Sequence, residues 1–109
     1  IGVSAHTIGE AGAAASAGAD YATISPIFPT QSKPGYGPPL YLDGIKRVVG
    51  KVTIPLLALG GVTAATALSC RRAGASGVAV MGTIMRASDP AMAVYDILNQ
   101  WYAGDNEAA

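Results

Sequence analysis

Long apolar runs are missing from this chain, and so are basic clusters, cysteine pairs and much of the usual charge. The single cysteine, Cys70, excludes an intramolecular disulfide and a Cys-rich zinc site. No apolar stretch approaches the ~20 residues that span a bilayer, which sets membrane insertion aside. Ile1 opens without a charged region or a cleavage pattern behind it, so a signal peptide is not expected. Seven Lys and Arg balance seven Asp and Glu, and without a basic patch the chain lacks the footprint of a nucleic-acid binder. Charged residues are 13% of the 109, where ~25% is typical, so an unusual share of the surface must be apolar or covered by something else. The composition fits a cytoplasmic chain of one domain at most, or a piece of one opened inside its structure by processing or truncation.

What is present alternates. Four short apolar runs, Ile1 to Ser4, Tyr21 to Ser25, Ile54 to Leu59 and Gly77 to Met81, have the length and β-branched content of buried strands. Ala-rich or amphipathic stretches separate and follow them, predicting helices over Ile8 to Ala17, Leu42 to Val49, Ala64 to Ala73 and Pro90 to Tyr102. Four βα units in a row imply parallel strands with right-handed returns. Thr7 with Glu10 has capping-box spacing, and Ser88-Asp89-Pro90 offers a cap followed by Pro in the first turn. Gly18, Gly50 and Gly74 stand just past three helices, where left-handed residues end them. Ala17-Gly18-Ala19 recurs as Ala73-Gly74-Ala75, with Thr7 matching Thr63 and Ala11 matching Ala67 at the same offset. A duplicated βαβα unit suits a barrel better than a doubly wound sheet.

Ligands of parallel α/β folds sit beyond the carboxyl ends of the strands. Gly60-Gly61 follows the third run and opens a helix, so bare backbone N–H groups and the helix dipole favour an anion there; a tight turn with no ligand fits the pair equally well. Met81-Gly82-Thr83 stands in the matching place after the fourth run, and two such turns side by side form a phosphate cup. The segment Ser25 to Pro39 is long for a βα loop. In it Thr30 and Ser32 offer hydroxyls, and Lys33 is the one cation near a strand end, suited either to a phosphate or to solvent. His6, the single histidine, stands at a strand end, as an acid–base group or a structural hydrogen-bonder. Cys70, mid-helix, reads as a packing residue, and Trp101 and Tyr102 as the packed end of the last helix.

Taken together, Ile1 to Thr7, Gly18-Ala19-Asp20-Tyr21, Pro26 to Lys33, Ile54-Pro55 with Leu59 to Val62, and Ala73-Gly74-Ala75 with Gly77 to Met81 resemble, in order, the C-terminal half of the thiamine phosphate synthase and thiazole tautomerase family. The resemblance implies a (β/α)₈ TIM barrel to which residues 1–109 supply about four βα units, a half-barrel. It implies coupling of hydroxymethylpyrimidine diphosphate to thiazole phosphate with release of diphosphate. By that resemblance Ser4 and Lys33 hold the diphosphate, Thr30 and Ser32 contact the thiazole phosphate side, and Gly61, Met81 and Gly82 cradle that phosphate, a set of donors suited to a leaving anion.

Three departures stand against the family pattern. Ser32 replaces the second Thr of Thr-x-Thr-Lys, keeping the hydroxyl. Gly82 stands where the family usually has Ser, losing a side-chain donor. The Asp ligands of Mg²⁺ and the groups that grip the pyrimidine belong to the N-terminal half of the family, so this chain carries no metal ligands and is expected to be inactive alone. The tautomerase reading assigns proton transfer to His6 and needs no metal; a non-catalytic phosphate-binding half-barrel is the remaining alternative. Four parallel strands with helices on one face leave the other face open, so self-association or an N-terminal half-barrel partner is expected.

Overall fold

A computed structural model describes residues 1–29 and 38–107. Along the chain run β1 (Gly2–Ala5), α1 (Ile8–Ser16), β2 (Tyr21–Ile24), α2 (Tyr41–Val49), β3 (Leu56–Leu59), α3 (Ala64–Ala73), β4 (Gly77–Ala79), α4 (Gly82–Met85) and α5 (Pro90–Glu107). The strands form a parallel sheet in the order β1-β2-β3-β4. Each strand lies beside its sequence neighbour with no reversal of order. A doubly wound sheet reverses at a switch point; this sequential order is that of half a (β/α)₈ barrel. Among the described residues no helix is long and apolar enough to cross a membrane.

Side chains alternate across the sheet, and the two faces differ. Ala5, Ala22, Ile24, Leu56 and Ala58 point to the helices and are buried, packed with Ala11, Ile45, Val48 and Cys70. Burying each of Ile24, Ile45, Val48 and Leu56 contributes about 1.5–3 kcal/mol. Alanines at Ala11, Ala14, Ala67 and Ala73 let α1 and α3 lie close against the sheet. The opposite face carries Gly2, Ser4, Tyr21, Thr23, Leu57, Leu59, Gly77 and Ala79, and Tyr21 on it is 42% exposed. The Tyr21 ring lies against Gly2, where a Cβ would come within 2.2 Å of Cζ.

The duplication is physical. Thr7 and Thr63 both stand in extended backbone before their helices, and Ala11 and Ala67 donate back to them at 3.1 and 2.9 Å. Ala19 donates to Ala14 and Ala75 to Cys70, both at 3.1 Å, around Gly18 and Gly74 with positive φ. The strands are slipped by one residue, however: Gly2 pairs with Tyr21, but Leu57, not Ala58, pairs with Gly77. The turn from β3 into α3 is four residues where that from β1 into α1 is two, and it holds the Gly60-Gly61 pair.

Several boundaries move from the sequence expectation. Gly50 ends α2 at φ −71°, so it is not left-handed. β3 starts at Leu56 rather than Ile54, after Pro55, whose carbonyl takes the Ala22 N–H at 3.1 Å. β4 stops at Ala79 rather than Met81, because the short α4 begins at Gly82. α5 continues past Tyr102 to Glu107. Arg71 of α3 clasps its end, donating to the Trp101 carbonyl at 2.8 Å, pairing with Asp105 at 2.5 Å and lying 5.5 Å over the Trp101 ring. The expected caps form: Glu10 N–H donates to Thr7 Oγ1 at 3.0 Å, and Met92 N–H to Asp89 Oδ1 at 3.1 Å. The Glu10 carboxylate reaches past the cap to accept the His6 N–H at 3.2 Å.

Candidate functional site

A cavity of about 410 Å³ opens at the carboxyl ends of the strands. Of the residues singled out by sequence, Ser4, His6, Gly61, Met81 and Gly82 line it. Thr30, Ser32 and Lys33 lie outside the described residues.

Its floor is the turn at Gly60-Gly61. Both residues have positive φ, +104° and +68°, a region that side chains rarely enter. A Cβ on Gly60 would stand 2.9 Å from Pro26 Cα, and one on Gly61 2.8 Å from Phe28 Cβ and 2.9 Å from the Pro29 carbonyl oxygen. The pair is thus required for packing. Ile27 N–H donates to the Leu59 carbonyl and Phe28 N–H to the Gly60 carbonyl, both at 3.0 Å, so the segment after β2 is laced onto this turn.

The second turn, Met81-Gly82-Thr83, stands beside it. Thr83 Oγ1 donates to the Val62 carbonyl at 3.1 Å and holds the two turns together. The N–H groups of Gly61, Val62, Gly82 and Thr83 make no hydrogen bond among the described residues. Four orphan donors on residues that line one cavity are groups that an anion could satisfy. Gly61 and Val62 also lead into the ten-residue α3, whose dipole favours negative charge. No carboxylate is among the described residues that line the cavity.

The opposite wall carries His6, half-buried. Its Nδ1 is 3.0 Å from the Ser25 carbonyl and 3.4 Å from Ser25 Oγ. A carbonyl only accepts, so the neutral ring carries its proton on Nδ1 and its lone pair on Nε2. Beside it Thr23 Oγ1 donates to Ser4 Oγ at 3.4 Å, turning Ser4 toward the same end of the sheet.

Sequence reasoning missed Ser25, the bridging role of Thr83, and Arg86. Arg86 is a second cation near the end of β4, outside the residues that line the cavity. Its guanidinium lies against Gly82, with Nη1 2.5 Å from where a Cβ on that glycine would stand. The signal was the four-residue spacing from Gly82, legible only once α4 makes it one helical turn.

Among the described residues no group of three His, Cys, Asp or Glu side chains converges, so they do not fit a Mg²⁺ site by themselves. Cys70 lies apart, fully buried on the inner face of α3, and burial pushes its thiol pKa up.

The family model and the curated relatives agree on one family. The family model for thiamine monophosphate synthase matches residues 1–84. A thiamine-phosphate synthase of Chloroflexus aurantiacus is 44% identical over 82% of this chain and 41% of its own length. One from Geobacillus kaustophilus is 45% identical over 83% of this chain and 41% of its own. A solved structure, the thiamine phosphate pyrophosphorylase of Pyrococcus furiosus, superposes with a TM-score of 0.83 at 30% identity, covering 94% of this chain and 48% of that one. The chain spans about two fifths of the length of the curated relatives it matches.

Proposed function

The chain belongs to the thiamine monophosphate synthase family, and from that premise we propose that it forms the phosphate-holding side of an enzyme that joins hydroxymethylpyrimidine diphosphate to thiazole phosphate. The observation that carries the reading is the set of four orphan N–H groups on two turns tied by Thr83, lining one cavity at the strand ends.

In this reaction the bond from the pyrimidine methylene to diphosphate breaks, and both electrons leave on the diphosphate oxygen. The thiazole nitrogen then supplies the pair for the new C–N bond. Transition-state charge grows on the leaving oxygen, where preorganised donors are most effective. Lys33 and Ser4 hold that anion; Thr30 and Ser32 meet the thiazole phosphate, which Gly61, Met81 and Gly82 cradle. Holding the thiazole by its phosphate brings its nitrogen to the methylene and removes the entropy of encounter. The pyrimidine grip and the Mg²⁺ ligands come from the remainder of a full-length barrel, whose strands close the open sheet face. The chain alone is then inactive.

The test pairs the chain with the N-terminal portion of a full-length relative and follows diphosphate release. Turnover that needs both parts and falls at least a hundredfold with Lys33→Ala supports the reading. Turnover indifferent to Lys33→Ala removes Lys33 from the site.

The His6 ring favours a second reading, thiazole tautomerisation, because its Nδ1 is fixed by Ser25 and its basic nitrogen is Nε2. His6→Ala abolishes isomerisation on that account, and isomerisation that persists excludes it.

A further inference from the structure

The chain has three methionines, and none of them is buried: Met81 is 66%, Met85 77% and Met92 52% exposed. One apolar side chain in water is ordinary, but two of these stand together at the cavity. The Met85 N–H donates to the Met81 carbonyl at 2.9 Å, so one helical turn sets both residues on the same side of α4, and both line the cavity. Leu59 and Val80 continue this apolar lining from the ends of the strands. The side of the cavity built from β1 and β2 is polar instead, with Ser4, His6 and Ser25.

A bare anion would leave the methionine rim unused. A phosphate ester with an organic body uses it, because covering the exposed Met85 stem takes apolar surface out of water. Methionine suits a ring in particular: its side chain is unbranched and adapts to the shape it meets, and its polarizable sulfur makes favourable contacts with aromatic rings. We propose that Met85 is a specificity-determining residue, whose thioether packs on the heteroaromatic ring of a phosphate ester bound in this cavity. The proposal rests on the reading of the cavity as a phosphate site. It adds recognition of the ring, so that a ring-bearing ester binds more tightly than an aliphatic one and Met85 carries part of the difference.

The experiment labels the methionine methyl groups with ¹³C and the amides with ¹⁵N in the 109-residue chain, and titrates inorganic phosphate, ethyl phosphate and thiazole phosphate. The Gly61 and Val62 amides should move with all three probes. The Met85 methyl should move with thiazole phosphate and stay with the other two, while Met92, on α5 and outside the cavity lining, stays throughout. Met85→Ala, a change at an exposed position that leaves the fold intact, should weaken thiazole phosphate roughly two- to tenfold, the range of one sulfur–ring contact, and leave ethyl phosphate unchanged. Met85→Leu keeps most of the apolar area and should lose less. A Met85 methyl that ignores thiazole phosphate while the amides respond overturns the role of Met85 and leaves the phosphate site standing. Equal weakening of both esters by Met85→Ala, or a Met92 shift as large as that of Met85, does the same. Amides that ignore all three probes overturn the site and the proposal together.

Discussion

The hydroxyl of Thr83 donates to the carbonyl of Val62 across 3.1 Å, joining the turn after β4 to the turn after β3. Val62 is buried, so its carbonyl has little access to water once that donor is gone. Thr83→Val, equal in shape, should cost about 1–3 kcal/mol of stability in urea unfolding. Thr83→Ser should recover most of the loss. Equal stability of all three would mean that the two turns hold their places without the bond.

Two glycines should respond to alanine with opposite signs. Gly61 has φ +68° and a Cβ there meets Phe28 and Pro29 under 3 Å, so Gly61→Ala should destabilise by about 2 kcal/mol or more. Gly12 sits inside α1 with nothing within 4 Å of an added Cβ, and Gly12→Ala should stabilise by about 0.5–1 kcal/mol. Urea midpoints decide both; a harmless Gly61→Ala contradicts the packing of the turn against the segment after β2.

Alkaline pH should loosen the fold through Cys70. Its thiol ionises near 9.0 when exposed and higher when buried in the folded chain. The stabilising preference for the neutral thiol is complete below 9 and is lost as pH rises past it, because the unfolded chain releases a proton that the folded chain keeps. The slope from this one group is at most about 1.4 kcal/mol per pH unit. Cys70→Ala should flatten the pH dependence above 9 in thermal melts; an unchanged profile assigns the alkaline loss elsewhere.

The open face of the sheet should find a cover. Tyr21, the partly exposed Leu57 and Leu59, and Met81, 66% exposed at the cavity edge, leave an apolar surface that β-sheets seldom present to water. Native mass spectrometry should show the chain paired, with itself or with an added N-terminal half-barrel. A dilute monomer that binds no hydrophobic dye contradicts this.

Local sequence signals were strong where one physical rule governs. The helix over Ala64 to Ala73 has the bounds the pattern predicts, between Thr63 and Gly74, and the repeat of Ala17-Gly18-Ala19 corresponds to two matching helix ends. Signals failed where partners distant in sequence decide. Residues after Tyr102 have no apolar period, and their helix is held by Arg71 reaching Trp101 and Asp105 from α3. α4 is too short to show a period, and with it the relation of Arg86 to Gly82 was hidden. At the site, glycines and small hydroxyls mark the two turns, but the bond between the turns joins Thr83 to a backbone carbonyl, which any residue carries.

The most direct test of the central claim, that the two turns hold a substrate phosphate, is a titration of thiazole phosphate into the ¹⁵N-labelled chain, with the unphosphorylated thiazole alcohol as control. The account predicts saturable shifts centred on Gly61, Val62, Gly82 and Thr83 with the phosphate and none of comparable size with the alcohol. Equal shifts from both ligands, or shifts centred away from these turns, would contradict it.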